Sequence, residues 1–174
     1  MKYLEEIKDI DPSLLVYSDE TGIDDNEVKM SGWAKKGIRC NAIKKAVRKL
    51  RLNITAALCN GKLFAPLLFE GYSTKLSFEA YIEYVLVPEL IPGMVLVIDN
   101  ASFHTSSKAK KLVEAVGCRI IFLPPYTPQF NPIEHWWAGI KDLIKKAASK
   151  TKDFYEAAIK VLDRTSAANL INSI

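Results

Sequence analysis

Two short, wholly apolar runs that each stop at an aspartate set the tightest limit on how this chain folds: Leu14 to Ser18 (LLVYS) meets Asp19, and Met94 to Ile98 (MVLVI) meets Asp99. Continuous apolar runs of this length read as strands buried on both faces, and they need layers of structure above and below them. Leu52 to Leu58 and Lys62 to Phe69 flank Cys59-Asn60-Gly61, where Asn-Gly marks a hairpin, so these two strands are antiparallel. Ser77 to Leu90 places Phe78, Tyr81, Ile82 and Val85 at helical spacing, with Pro88 near its end. Ser106 to Val116 is helical and closed by Gly117; Arg119 to Leu123 forms a fifth strand. A stiff loop from Pro124 to Pro132, a helix from Ile133 to Ser149 and an amphipathic segment from Asp153 to Leu162 follow. The predicted fold is α/β: a mixed five-stranded central sheet, an antiparallel meander plus two parallel strands, with helices on both faces. One domain accounts for residues 1–174, with about 14–149 as its core and 150–174 as a helical appendage.

With 49% hydrophobic and 25% charged residues in 174, the composition is that of a folded globular chain. No window approaches a membrane span, and the acidic start MKYLEEIKDID lacks the apolar stretch of a signal peptide, which predicts a cytoplasmic protein without a membrane partner. Cys40, Cys59 and Cys118 form no C-x-x-C pair and fit a reducing compartment; with only His104 and His135 beside them, a zinc site is not expected. The net charge of +4 is unevenly placed, since no acidic residue occurs between Met30 and Phe69. Lys35, Lys36, Arg39, Lys44, Lys45, Arg48, Lys49 and Arg51 lie in that stretch and would attract a polyanion such as nucleic acid; a solvated loop is the plainer reading.

Asp19 and Asp99 follow strands directly, where open α/β sheets present ligand-binding groups, although an Asp at a strand end also starts turns. Alternation places Leu15, Tyr17 and Asp19 on one face and Val16, Ser18 and Glu20 on the other, so only one of the adjacent acids serves a given site. Glu134 has two readings. Asn131-Pro132-Ile133-Glu134 fits a helix start with Asn as N-cap and Glu in a capping box. Glu134, Lys141 and Lys145 also fall near one helix face, while Ile133, Trp137, Ile140 and Ile144 lie on another, and the charged face can hold a metal ion and grip phosphates. Three converging carboxylates make a hard-oxygen site for Mg²⁺ or Mn²⁺, and two such ions suit in-line displacement at phosphorus without a side-chain nucleophile. Of Trp136 and Trp137, one is expected in the core and the other is available to stack on a base.

These motifs together resemble the DDE transposases of the mariner superfamily, in their bacterial insertion-sequence branch. The resemblance rests on Asp19-Glu20-Thr21, Gly32-Trp33, Lys36-Gly37, Val97 to Ala101 (VIDNA) with His104, and above all Leu123 to Lys141, LPPYTPQFNPIEHWWAGIK. Asp99 and Glu134 have 34 residues between them (134 − 99 − 1), the spacing of this branch. The resemblance implies an RNase H-like fold of the retroviral integrase superfamily. It implies Asp19, Asp99 and Glu134 as catalytic metal ligands, with Glu20, Asn100 and His104 near the site. It implies Mg²⁺-dependent cleavage at transposon ends, joining of the 3′-hydroxyl to target DNA, and a homodimer on double-stranded DNA without a small-molecule cofactor. Only 18 residues precede Asp19, too few for the helix-turn-helix modules of such transposases, so that module is expected to be absent.

Two other readings compete. An RNase H-like nuclease or resolvase would draw an acid from the helix after the third strand, where Glu79 and Glu83 are available. A catalytically silent DNA-binding or dimerisation fragment would use the basic segment alone.

Overall fold

The computed structural model describes residues 2–25, Lys36, 50–151 and 153–171. Five strands form one sheet in the order β3-β2-β1-β4-β5: β1 (Leu15–Asp24), β2 (Arg51–Cys59), β3 (Lys62–Glu70), β4 (Val95–Ile98) and β5 (Arg119–Phe122). β1, β2 and β3 pair antiparallel, whereas β1 with β4 and β4 with β5 pair parallel, so the mixed sheet is the expected one. Asn60 and Gly61 both adopt positive φ, 48° and 71°, as a tight hairpin turn between β2 and β3 requires.

β1 runs further than its apolar run predicts. The strand does not turn at Asp19 but continues to Asp24, because β2 supplies antiparallel partners as far as Asp24↔Arg51. Only the parallel partner stops: β4 ends at Ile98. Asp19 is therefore interior to a strand on one side and at an open sheet end on the other.

The two sheet faces are covered differently. On one, Val16, Leu96 and Ile98 pack against Phe78, Tyr81, Ile82, Leu86, Ala109 and Val113. These come from α2 (Lys75–Tyr81), the wider π turn Ile82–Leu86, and α3 (Ser107–Ala115). The uninterrupted helix expected to Leu90 thus loosens at Ile82 and ends in a 3-10 turn, Val87–Glu89, because Pro88 offers no N–H to continue it. Thr74 and Ser77 close a capping box at its start, and Ser106 caps α3.

On the other face, Ile23, Leu52, Ile54 and Leu58 pack against Ile133, Trp137, Ile140 and Ile144 of α4 (Ile133–Ala148) and against Ala158, Val161 and Leu162 of α5 (Phe154–Ile171). The closing helix is longer than the expected Asp153 to Leu162, and its residues Ala158, Val161 and Leu162 are buried. Beside this cluster, Leu15, Val95, Val97 and Ile121 form a third group with Leu123 and Tyr3. Tyr3 belongs to α1 (Lys2–Ile7), a helix that the acidic opening of the chain did not announce; its ring lies 5.7 Å from that of Phe130. Among the described residues, no helix is long and apolar enough to cross a membrane.

Ile144, fully buried where α4 meets β2 and α5, tests this arrangement. Ile144→Ala should lower unfolding stability by roughly 2–5 kcal/mol, measured by urea denaturation, because deletion leaves a cavity that the flanking strand cannot fill. A loss of less than about 0.5 kcal/mol would mean that α4 does not pack there.

Candidate active site

Register alone brings the first two acids together. β1 and β4 pair in parallel as Leu15↔Val95, Val16↔Leu96 and Tyr17↔Val97, and extending the same offset sets Asp19 beside Asp99. Both share a face with Leu15, Tyr17, Val95 and Val97, since strand side chains alternate. That face is the one α4 covers, and Glu134 stands in the first turn of α4. Asp19, Asp99 and Glu134 line one cleft of about 410 Å³, with Asn100, Ala101 and Asn131 and the run Leu123 to Pro128.

Glu20, on the other face, is outside this lining, and its Oε2 accepts from Thr55 Oγ1 at 3.5 Å. Alternation therefore selects Asp19 of the adjacent pair. The capping-box reading of Glu134 does not hold either: α4 begins at Ile133 after Pro132, and among the described residues no side chain caps it and the buried Asn131 Oδ1 has no partner. Proline at the cap position puts Glu134 in the first turn, aimed at the cleft, where the helix dipole adds positive potential.

The three acids have unlike surroundings. Asp19 is mostly buried, and burial pushes its carboxyl up from 3.8 to about 6. A backbone hydrogen bond at Glu20 and the indole of Trp137 oppose that rise, while Glu134 and Asp99 add to it. Trp137 Nε1 donates to Asp19 Oδ2 at 3.0 Å. Asp99 goes the other way: its hydrogen bond with His104 holds it below the usual carboxylate range, against partial burial. An ionised carboxylate only accepts, so the His104 Nδ1 carries the proton and donates to Asp99 Oδ1. The Ala101 amide adds a second bond at 3.2 Å. His104 is itself buried, its ring centroid 4.5 Å from Phe78 and 4.3 Å from Phe103, which fixes the imidazole against the carboxylate. Its place is behind Asp99, not in the cleft lining.

Among the described residues, no His or Cys enters the cleft lining, so its side-chain donors are carboxylate and hydroxyl oxygens and the amides of Asn100 and Asn131. Among the described residues, no three acidic, His or Cys side chains are gathered tightly enough to enclose a single cation. Asp19 and Asp99 are held by their own partners, whereas Glu134 is exposed.

The expected DNA-contacting residues divide. Lys35, Arg39, Lys44, Lys45, Arg48 and Lys49 lie outside the described residues, as do Gly32-Trp33, Gly37 and Cys40; Lys36 is exposed. Arg51 lies over Gly22, where an added Cβ would stand 2.4 Å from Nη2, and its Nη1 is 3.8 Å from Asp24. It is engaged within the fold. Lys141 and Lys145 lie further along α4, outside the cleft lining. Trp137 is the buried tryptophan; Trp136 lines a groove between α4 and α5 with Leu143, Lys146 and Arg164. Glu79 and Glu83 face α3, where Glu79 accepts from Ser106 Oγ and Glu83 pairs with Lys108 at 2.6 Å. They lie on the far side of the sheet from Asp19.

Sequence reading missed the Trp137 indole as the partner of Asp19. The signal was a Trp on the apolar face of a helix, one turn after an acid, but helical spacing alone says only that such a ring is buried.

The raised pKa of Asp19 has a sign that can be tested without metal. Because Asp19 titrates near 6 in the fold and near 3.8 otherwise, its protonated form is favoured by folding. Its contribution is complete below about pH 4 and is lost as pH rises through about 6. In chelator, the stability difference between Asp19→Asn and wild type should therefore grow in favour of the variant across that window, by on the order of 2 kcal/mol at pH 7. A difference that stays flat from pH 4 to 8 would show that Asp19 does not titrate there.

The sequence matches the family described as DDE superfamily endonuclease over residues 14–155. Among curated proteins, the uncharacterized protein y4pE/y4sA of Sinorhizobium fredii is 35% identical over 48 residues, which is 28% of this chain and 33% of that protein. Among solved structures, the Mos1 transposase paired-end complex with left transposon end is similar at TM-score 0.63 and 13% identity, covering 96% of this chain and 59% of that one. The Mos1 strand transfer complex gives TM-score 0.64 at 15% identity, covering 96% and 58%. The catalytic core domain of BIV integrase gives 0.55 at 17%, covering 87% and 82%. These likenesses establish the RNase H-like fold of transposase and integrase cores. This chain spans about three-fifths of the Mos1 chains and a third of the curated relative.

Proposed function

This chain belongs to the DDE superfamily endonucleases, and from that premise we propose that it is the catalytic domain of a transposase, with Asp19, Asp99 and Glu134 as the residues of phosphodiester chemistry. The observation that carries the reading is that three acids distant in sequence line one cleft at the open end of the β1–β4 pair.

The donor set suits Mg²⁺ or Mn²⁺, two ions per site: all cleft donors are hard, and the buried Asn131 Oδ1 has no hydrogen-bond partner among the described residues. Such ions, when bound, activate an attacking oxygen and stabilise the one that leaves. The chain's own work is positional. His104 keeps Asp99 ionised and oriented, and Trp137 fixes one oxygen of Asp19, which lines the cleft. Glu134, exposed in the first turn of α4, has the rotamer freedom to complete the ligand set. Leu123 to Pro128 form the opposite wall and limit water access. The attacking group is water for end cleavage and a DNA 3′-hydroxyl for strand transfer. Double-stranded DNA is the substrate, gripped by the basic segment between Met30 and Arg51 and by Lys141 and Lys145, with two copies of the chain on paired ends.

The nuclease reading that relies on Glu79 or Glu83 finds little support, because both are tied to α3 across the sheet.

Supercoiled plasmid should be nicked by wild type in Mg²⁺ or Mn²⁺. Asp99→Asn and Glu134→Gln should each lower the rate at least about a hundredfold, whereas Glu83→Gln should change it less than about twofold. Calorimetry on the same proteins reports metal binding separately. Undiminished nicking by Asp99→Asn, or loss confined to Glu83→Gln, would overturn the assignment.

A further inference from the structure

The wall of the cleft opposite the acids carries a feature that metal binding does not use. Tyr126 lines the cleft and is 100% exposed, the most exposed large apolar side chain among the described residues. Its φ is +58°, in the left-handed region where a Cβ crowds the backbone and Gly or Asn is the usual occupant. With Pro125 it forms the middle of a turn, Pro in the position that presets φ and Tyr in the position that normally calls for Gly. Thr127 Oγ1 donates to the Pro124 carbonyl at 2.6 Å and closes that turn. Pro128 then opens a short 3-10 turn whose last residue, Phe130, lies against Tyr3. The loop is thus anchored on both sides, and the ring it projects is fully exposed among the described residues.

An unfavourable backbone conformation that presents an aromatic face to solvent, on the rim of a carboxylate cleft, serves a ligand with both an anionic and a planar part. A nucleotide has both. We propose that Tyr126 is a preset stacking platform for a nucleobase adjoining the phosphate at the carboxylates, a substrate-positioning role that rests on the reading of this cleft as a DNA-cutting site. Stacking on a ring is tolerant of base identity, so the platform fixes the depth of the strand in the cleft and not its sequence. Because the turn is already closed before DNA arrives, little ordering entropy is lost on contact.

The test separates ring from loop. Tyr126→Gly removes the aromatic while suiting the positive φ, so the turn is kept; Tyr126→Phe keeps the ring. The probes are a twelve-nucleotide oligothymidylate and its abasic counterpart of equal length, with affinities measured by fluorescence anisotropy in chelator and plasmid nicking followed in Mn²⁺. Wild type and Tyr126→Phe should prefer the base-bearing strand by about tenfold; Tyr126→Gly should lose that preference, bind the abasic strand as wild type does, and nick at least about tenfold more slowly. If wild type binds both strands and nicks plasmid but Tyr126→Gly keeps the preference and the rate, the platform is wrong while the DNA-cutting reading stands. If wild type binds neither strand and nicks nothing, both fall. A concentration-dependent dimer, seen by light scattering and lost only in Tyr126→Gly with oligonucleotide affinities unchanged, would assign the ring to a second copy of the chain and overturn the proposal.

Discussion

The hydrogen bond from the Trp137 indole to Asp19 is the point at which fold and site become one object. Trp137 is buried among Ile133, Ile140 and Ile144 against β2 and α5, so its ring cannot shift without disturbing the second core. Its nitrogen reaches Asp19 at 3.0 Å, which fixes the rotation of α4 about its own axis relative to β1. Glu134 lies one turn earlier on the same helix, and that rotation is what faces it to the cleft. A helix packed through the same apolar stripe but rolled by one residue would keep its burial and send Glu134 away. The buried polar contact adds directional information that apolar packing lacks.

Around this contact the acids are treated in opposite ways. Asp19 is buried and raised, restrained from rising further by the indole and a backbone bond; Asp99 is half-buried and lowered by His104. Neighbouring carboxylates repel, and giving each its own partner lets two acids on adjacent strands coexist. The aromatic pair Phe78 and Phe103 around His104 extends the arrangement across the sheet, so that Asp99 depends on the α2–α3 face while Asp19 depends on the α4–α5 face. The cleft sits between the two cores and draws orientation from both.

Much of this was legible in the amino-acid sequence, and the parts that were not share a cause. The apolar runs ending at Asp19 and Asp99, the Asn60-Gly61 hairpin and the block from Leu123 to Lys141 identify strands, order and candidate acids, because these are local patterns with one physical reading. Alternation narrowed Asp19 against Glu20 without choosing between them; the choice required knowing which face α4 covers. The same missing fact left Glu134 divided between a cap and a cleft-facing side chain until Pro132 emerged as the cap. β1 outran its expected end because its hydrogen-bond partners come from β2, and the helix from Ser77 loosened at Ile82, where periodicity shows no interruption. Tertiary partners settled each case, and periodicity carries no information about partners. Tyr3 shows the limit most plainly: a lone aromatic in an acidic segment has no pattern around it, yet it is buried beside Phe130.

That burial ties the opening helix to the loop behind the cleft, and it bears on when during folding a site can exist. Tyr3 must wait for Phe130, and Asp19 for Trp137 at a separation of 118 residues, so each contact closes a loop nearly as long as the domain. Contacts of such span form late, after the hairpin of β2 and β3 and the local helices have paid the cost of bringing the ends together. A half-folded chain can hold a sheet and still have no cleft. The carboxylate cleft is in this sense deferred: it arises with the last long-range contacts, and a polypeptide that stalls short of them is a strand-pairing hazard.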